Sequence, residues 1–205
     1  MKKHIILIIS TIALSLNLIA QDAETVLRNT VDKLKSYNNI EFSIDYLMTN
    51  PEAGLFDQMT ISGFTQGKAF KVKTYGQEII CDGTTTWTYF EDANEVNISD
   101  AEASDDGYLF SMIDQYSKNI NARFIGNADG DIRQIAVTPS IDGYTAITFT
   151  LNVKTLELKE MSMVNDGDTE FVYKITKFAT NQTLPDDFFT FKEADFPDAE
   201  IIDMR

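Results

Sequence analysis

From residue 40 onward, apolar and polar residues alternate along most of this chain. The first clear case runs from Ile40 to Met48, where every second residue is apolar or aromatic and the residues between them are mostly polar. Successive side chains of a β-strand point to opposite faces, so this segment is predicted to be a strand buried on one face only. A chain built mainly of such segments folds into a sheet with one covered face.

About ten strands are predicted in total. Further strand-like stretches are found at 59–65, 70–75, 77–81, 85–90, 95–98, 135–137, 147–153, 156–158, 161–163 and 171–175. Hairpin-type turn pairs separate several of them: Asp82-Gly83, Asp129-Gly130, Asp142-Gly143 and Asp166-Gly167. Asp-Gly pairs between alternating segments are typical of two-residue hairpin turns. Neighbouring strands are therefore expected to run antiparallel.

Two helices are predicted beside the strands. Asp22 is placed to cap the first, which ends near Tyr37. Its apolar stripe is Ala23, Val26, Leu27, Val31 and Leu34. The second begins near Ser104, and its apolar stripe is Leu109, Met112, Ile113 and Tyr116. The predicted fold class is α+β and mainly β: a single curved antiparallel sheet forming an incomplete, unclosed β-barrel, with helices covering its concave face.

The first twenty residues are typical of a secretory signal peptide. Lys2 and Lys3 precede the apolar run 5–19, and Ala20 precedes the expected cleavage point. The run is shorter than the roughly 20 residues of a membrane-spanning helix, although an uncleaved anchor is the alternative. We therefore divide the chain into a signal peptide, 1–20, and one domain, 21–205. The residue directly after the cleavage point is Gln21 and not the cysteine that is acylated in bacterial lipoproteins, so an exported protein free in solution is expected.

Cleavage would remove His4, the single histidine. Ser-His-Asp and Cys-His nucleophile systems and histidine-ligated zinc are then excluded. Cys81 is the single cysteine, which excludes a disulfide framework and suggests a small buried side chain. An enzyme would have to use paired carboxylates, and no spacing among the 32 acids singles out a pair.

The formal net charge is −15, and it becomes −17 without Lys2 and Lys3. Such a surface repels nucleic acid and anionic lipid headgroups. The charge either maintains solubility or steers the protein toward a basic partner, and both interpretations stay open. Asn127, Asp129 and Asp131 have the opening spacing of a calcium loop, but Ile132 occupies its glycine position, which favours a hairpin turn.

Several segments, taken in order, match a known pattern. They are Gly63-Phe64-Thr65, residues 68–72, the stretch 80–89 with Asp82-Gly83, Trp87 and Tyr89, the strand within 142–153, and the tail 184–203. In this order they resemble the LolA family of periplasmic carriers of outer-membrane lipoproteins. The resemblance extends over nearly all of residues 21–205. Trp87 is predicted either at a cavity mouth or beneath the turn.

The resemblance implies a monomeric carrier, without cofactor, metal or catalytic residues, that holds the acyl chains of lipoproteins in an apolar cavity beneath a helical lid. Its implied partners are acylated lipoproteins, an inner-membrane lipoprotein-releasing transporter and an outer-membrane acceptor. The alternative on the same fold is an envelope sensor or scaffold that binds lipid or lipoprotein. One departure is that the turn 66–69 lacks the arginine implied to hold the lid. Lys68 replaces it poorly because an ammonium lacks the planar donor fork.

The candidate cavity lining consists of predicted inward strand positions together with the stripe of the second helix. The residues are Phe42, Ile44, Tyr46, Ile61, Phe70, Val72, Phe149, Leu151, Met161, Met163, Phe171 and Tyr173 from strands, and Leu109, Met112 and Ile113 from the helix. Any one of them taken alone is expected more often in an ordinary core. As a set they exceed what two short helices can cover, which indicates a cavity.

Overall fold

The computed structural model describes residues 22–101, 121–139 and 143–205. Within these ranges the chain forms one α-helix, α1 (Ala23–Lys35), and a 3-10 turn at Glu193–Asp195. The strands are β1 (Ile40–Asn50), β2 (Leu55–Gln66), β3 (Ala69–Thr74), β4 (Gln77–Cys81), β5 (Thr85–Phe90), β6 (Glu95–Asp100), β7 (Ala122–Asp129), β8 (Ile132–Val137), β9 (Tyr144–Asn152), β10 (Glu157–Asn165), β11 (Glu170–Thr180) and β12 (Glu200–Asp203).

Helix α1 begins where the sequence predicts. The Asp22 carboxylate accepts a hydrogen bond from the Thr25 backbone N–H at 2.6 Å, which satisfies one of the free donors of the first turn. The predicted apolar stripe is buried along its whole length, from Ala23 to Leu34. The capping residue and the stripe of the first predicted helix are confirmed.

The strands form one open, curved sheet in the order β12-β6-β5-β4-β3-β2-β1-β11-β10-β9-β8-β7. Neighbours pair antiparallel except β12, which lies parallel to β6. The prediction of a mainly β, unclosed sheet is confirmed, and the prediction of a purely antiparallel one is wrong at this edge. The last strand follows a long tail instead of a hairpin turn, and such a connection permits either direction.

Three strand predictions need correction. Strand β7 was missed because it lies at the sheet edge and is exposed along most of its length, so its sequence lacks alternation. Strand β12 was missed because it has only four residues. The stretches 156–158 and 161–163 belong together: Leu156 is a turn residue with φ of 56°, and β10 continues through a bulge after Leu158. The predicted hairpin turn at Asp129-Gly130 is confirmed between β7 and β8.

One face of the sheet packs against α1, and we call it the helix-side face. Val26, Leu27 and Val31 of α1 form one buried cluster with side chains of β1, β3, β8, β9 and β10. Cys81 belongs to the same cluster, and its prediction as a buried residue is confirmed. The second predicted helix, from Ser104, lies outside the described residues, so the predicted cover by two helices is not established.

The opposite face carries a second, smaller cluster, and we call it the tail-side face. The tail between β11 and β12 crosses it and places three phenylalanine rings on aromatic residues of the sheet. The ring centroids are 4.8 Å apart for Phe188 and Phe64, 5.6 Å for Phe191 and Trp87, and 4.8 Å for Phe196 and Tyr89. Buried Ile80 and Val96 pack with Phe191 and Phe196 of the tail. The tail therefore covers part of the sheet face opposite α1.

A buried asparagine secures each end of the junction between β1 and β11. At one end, the Asn39 side chain donates to the Gln182 carbonyl and accepts from the Gln182 N–H, both at 2.8 Å. At the other end, Asn50 Nδ2 donates to the Gly167 carbonyl at 2.7 Å and to Thr169 Oγ1 at 3.1 Å. Both asparagines join segments that are distant in sequence.

We expect Asn39→Ala and Asn50→Ala each to lower the free energy of unfolding by about 1–3 kcal/mol, because each change removes two hydrogen bonds made by a buried side chain. Urea denaturation of the two variants measures the loss. Asn127→Ala is the matched control, since Asn127 is exposed on β7 and its replacement should change stability by less than about 0.5 kcal/mol. Losses no larger than that of the control would contradict this role.

Candidate functional site

The twelve strand candidates for an apolar lining lie on the helix-side face. Residues directly opposite each other in an antiparallel pair project to the same face. The pairs that place them there are Phe42–Gly63, Gly63–Val72, Phe70–Cys81, Ile44–Ile61, Tyr46–Tyr173, Met161–Tyr173, Met161–Phe149, Met163–Phe171 and Leu158–Leu151. The structure therefore brings together side chains from six strands.

Eight of the twelve are buried in the cluster that contains α1. They are Phe42, Ile44, Phe70, Val72, Phe149, Leu151, Met161 and Met163. The Phe149 side chain has 0% relative exposure, and α1 supplies the helix residues of this cluster. Interiors of this kind are close-packed, so this half of the helix-side face is a core in the present conformation.

The other four, Tyr46, Ile61, Phe171 and Tyr173, are half-buried. Together with half-buried Met48, which opposes Phe171, they form a continuous surface on β1, β2 and β11 that we call the open patch. The rings of Tyr46 and Tyr173 lie 5.2 Å apart at a tilt of 53°. Aromatic, aliphatic and thioether side chains thus continue the core toward one end of the sheet.

That end, which we call the open end, carries the turns at 51–54, 75–76, 91–94 and 166–169. Large apolar side chains are exposed there: Leu55 by 46%, Phe56 by 67% and Tyr75 by 88%. The four turns contain five acidic residues and no lysine or arginine: Glu52, Glu91, Asp92, Asp166 and Asp168. The open end therefore combines exposed apolar groups with a negative potential.

On β5 and β6 the helix-side face is polar. Thr86, Thr88, Asn97 and Ser99 form two opposed pairs, Thr86–Ser99 and Thr88–Asn97, which we call the polar strip. A recess of about 400 Å³ at the open end is lined by Asn97, Gln77 and Phe90, among others. Sequence reasoning missed this strip because it considered only apolar residues at alternate positions. The signal was the same alternation, carried by hydroxyl and amide side chains.

Trp87 lies on the tail-side face, stacked on Phe191 with an interplanar angle of 8°. It therefore does not line the helix-side recess. Another recess on the tail-side face, of about 470 Å³, is lined by Lys71, Lys73 and Glu78 together with Phe64 and Phe188. Lys71 Nζ lies 3.1 Å from Glu78 Oε1, so these two charges at the recess are paired with each other.

The Asp82-Gly83 turn is held by the Asp82 carboxylate. Burial disfavours the charged form, but hydrogen bonds from Thr85 N–H, Thr84 Oγ1 and Thr84 N–H outweigh it and lower the pKa of Asp82. Because the folded pKa is below the unfolded one, this stabilisation is present above the unfolded pKa of about 3.9 and is lost as pH falls through the folded pKa. The turn is therefore intact at neutral pH.

Leu109, Met112 and Ile113, predicted to line a lid, lie outside the described residues. Among the described residues, no group of three or more His, Cys, Asp or Glu side chains is placed to hold a metal ion. Within the same ranges, no helix has both the length and the apolar character of a membrane span.

The chain is similar to solved structures of low sequence identity, the first of which shares its fold. An uncharacterized conserved protein from Thermus thermophilus superposes with a TM-score of 0.57 at 10% identity, over 86% of this chain and 96% of that one. A LolA superfamily protein from Nitrosomonas europaea gives 0.44 at 12% identity, over 84% and 99%. Lipoprotein LppX from Mycobacterium tuberculosis gives 0.48 at 13% identity, over 80% and 97%. No curated protein shows a significant match.

A family model described as outer membrane lipoprotein carrier protein LolA matches residues 64–192, more than half of the chain. The match covers β3 to β11, including the Asp82-Gly83 turn, the polar strip and the strands that bear Phe149, Met161 and Phe171. The chain belongs to the LolA family.

Proposed function

We propose that the protein is a periplasmic carrier that shields the acyl chains of lipoproteins in an apolar cavity on its helix-side face and ferries them from the inner to the outer membrane. The observation that supports this most is the open patch, a half-buried apolar surface that extends from the core to the open end. Exposed Leu55, which opposes Asn50 on the same face, and exposed Tyr75 extend the apolar character to the turns of that end.

The free-energy cost of exposing acyl chains to water makes such a carrier necessary. Exposing an acyl chain to water costs about 0.8 kcal/mol per methylene, so a sixteen-carbon chain costs roughly 12 kcal/mol. A carrier must cover the chain and still release it, which favours adaptable side chains over fixed polar contacts. Methionine and aromatic residues meet this need, and Met48, Tyr46 and Phe171 supply them in the open patch.

In this proposal the four half-buried candidates, with Met48, are the first groups an acyl chain contacts. The eight buried candidates line the deeper part and contact the chain once α1 and the sheet loosen. Leu109, Met112 and Ile113 complete the lining as a lid. No step in this cycle requires a catalytic group, a metal or a cofactor.

The proposal includes export by a signal peptide cleaved after Ala20, with residues 21–205 acting as one monomeric carrier domain. The transporter that delivers cargo at the inner membrane and the acceptor at the outer membrane are its protein partners. The acidic turns of the open end would attract a basic surface on such a partner.

The test is uptake of acylated ligands by the protein purified from the periplasm. We expect acylated peptides to co-purify with the unmodified protein, as detected by mass spectrometry, and an apolar fluorescent probe to bind it. Ile61→Asp should abolish both, because a carboxylate in an apolar cavity costs several kcal/mol. Ser62→Asp is the matched control, since Ser62 neighbours Ile61 but faces the tail side.

Circular dichroism should show both variants folded. An unmodified protein that carries no acylated peptide and binds no probe would refute the carrier function. Equal binding by both folded variants would refute the location of the cavity.

A further inference from the structure

Two buried oxygens on the polar strip lack hydrogen-bond partners. Among the residues that the structure describes, Thr86 Oγ1 and Asn97 Oδ1 are the buried side-chain oxygens without one. Thr86 is only 8% exposed. The large majority of buried polar atoms in folded proteins are paired, and an unpaired one destabilises the protein that keeps it. The described residues provide no hydrogen-bond partner for either atom, so a bound ligand could supply one.

Both side chains face the proposed acyl cavity. Thr86 opposes Cys81, and Cys81 opposes Phe70, so all three project to the helix-side face. Thr88 opposes Asn97, which places Asn97 on the same face. Diagonal neighbours on one face lie about 7–8 Å apart, so a single small polar group can approach both side chains.

The surroundings distinguish this spot from the rest of the face. Asn97 lines the recess of about 400 Å³ at the open end, next to Phe90 and Gln77. The open patch on β1, β2 and β11 is apolar. In contrast, β5 and β6 present one hydroxyl–hydroxyl pair, Thr86–Ser99, and one hydroxyl–amide pair, Thr88–Asn97. A ligand with a hydrocarbon chain and one polar linkage would match both regions.

We propose that the polar strip binds the amide linkage of an N-acylated ligand while its hydrocarbon chain lies along the open patch. This inference rests on the proposed carrier function and adds a determinant of ligand class to it. A secondary amide supplies both missing partners, because its N–H can donate to Asn97 Oδ1 and its carbonyl can accept from the Thr86 hydroxyl. A linkage without an N–H leaves Asn97 unpaired.

The test uses two probes with the same chain, N-propyldodecanamide and its derivative methylated on the amide nitrogen, in competition with a bound apolar fluorophore. We expect the wild-type protein to bind the unmethylated amide more tightly. Thr86→Val, which keeps the shape of threonine, and Asn97→Leu should each weaken its binding by about 2- to 12-fold. Binding of the methylated probe should change little in Asn97→Leu.

Thr85→Val is the matched control, because Thr85 neighbours Thr86 and faces the tail side. Without ligand, Thr86→Val should melt no lower than the wild type, since the substitution removes an unpaired buried hydroxyl. This isosteric variant keeps the test decisive even where Asn97→Leu fails to fold. Equal amide affinity in Thr86→Val, Thr85→Val and the wild type would overturn this inference alone. A wild-type protein that binds neither probe would overturn the carrier function as well.

Discussion

Phe149→Ala is expected to lower the free energy of unfolding by about 3–5 kcal/mol, as for other large-to-alanine changes in a close-packed core. The Phe149 side chain is fully buried on β9, in the cluster that holds α1 against the sheet. Its removal leaves a cavity that the rigid sheet around it cannot close. Urea denaturation of the purified protein measures the loss.

Phe171→Ala is the matched comparison, because Phe171 lies on the same face but is half-buried in the open patch. Its stability loss should be clearly smaller, since less apolar surface returns to water. Relative to its loss of stability, Phe171→Ala should lose more affinity for an apolar probe than Phe149→Ala does. Equal destabilisation of the two variants would contradict the division of this face into a core and an accessible surface.

Gly63→Ala is expected to destabilise the protein by about 3 kcal/mol or more, beyond ordinary overpacking. A Cβ atom at Gly63 would lie 2.2 Å from the Lys71 carbonyl oxygen and 3.0 Å from the Val72 Cα atom. Both are backbone atoms of β3, so relief requires β2 and β3 to move apart. Glycine in a strand interior commonly marks such a close approach of two backbones.

Gly54→Ala provides the control. Gly54 has a φ of 66°, and a methyl group added there would meet no atom within 4 Å, so alanine incurs only the backbone strain of about 1–2 kcal/mol. Thermal unfolding of the two variants compares a steric clash with a purely conformational cost. A Gly63→Ala protein as stable as Gly54→Ala would show that the two strands separate easily.

The elements that the sequence predicted well have a clear apolar period or are bounded by clear turn signals. Helix α1 follows from its apolar stripe, because burial on one side imposes that periodicity. Strands β4 and β5 bury side chains on both faces and follow instead from the turns that bound them. Strand β7 is not predicted because it is exposed along most of its length. Strand β12 is not predicted because four residues are too few to show a period-two pattern.

For the candidate site, the alternation of apolar residues placed twelve side chains on one face, but it does not state which of them a helix covers. That division depends on where α1 packs, a tertiary property. The position of Trp87 also depends on a tertiary contact, because Phe191, on which it stacks, lies more than a hundred residues further along the chain. The polar strip was within reach of sequence reasoning, because threonine and asparagine alternate there as regularly as apolar residues do elsewhere.

The junction between β1 and β11 also dictates an order of assembly. Strands β1 to β6 pair with sequence neighbours, and so do β7 to β11, whereas the contacts at the junction join residues 117 to 143 apart. Local hairpins form within microseconds, but long-range pairing must first close a large loop and is slow. Until β11 reaches it, β1 is an unprotected edge with one apolar side, open to pairing with another nascent chain. The protein is therefore most exposed to aggregation during the interval between forming its two halves and joining them.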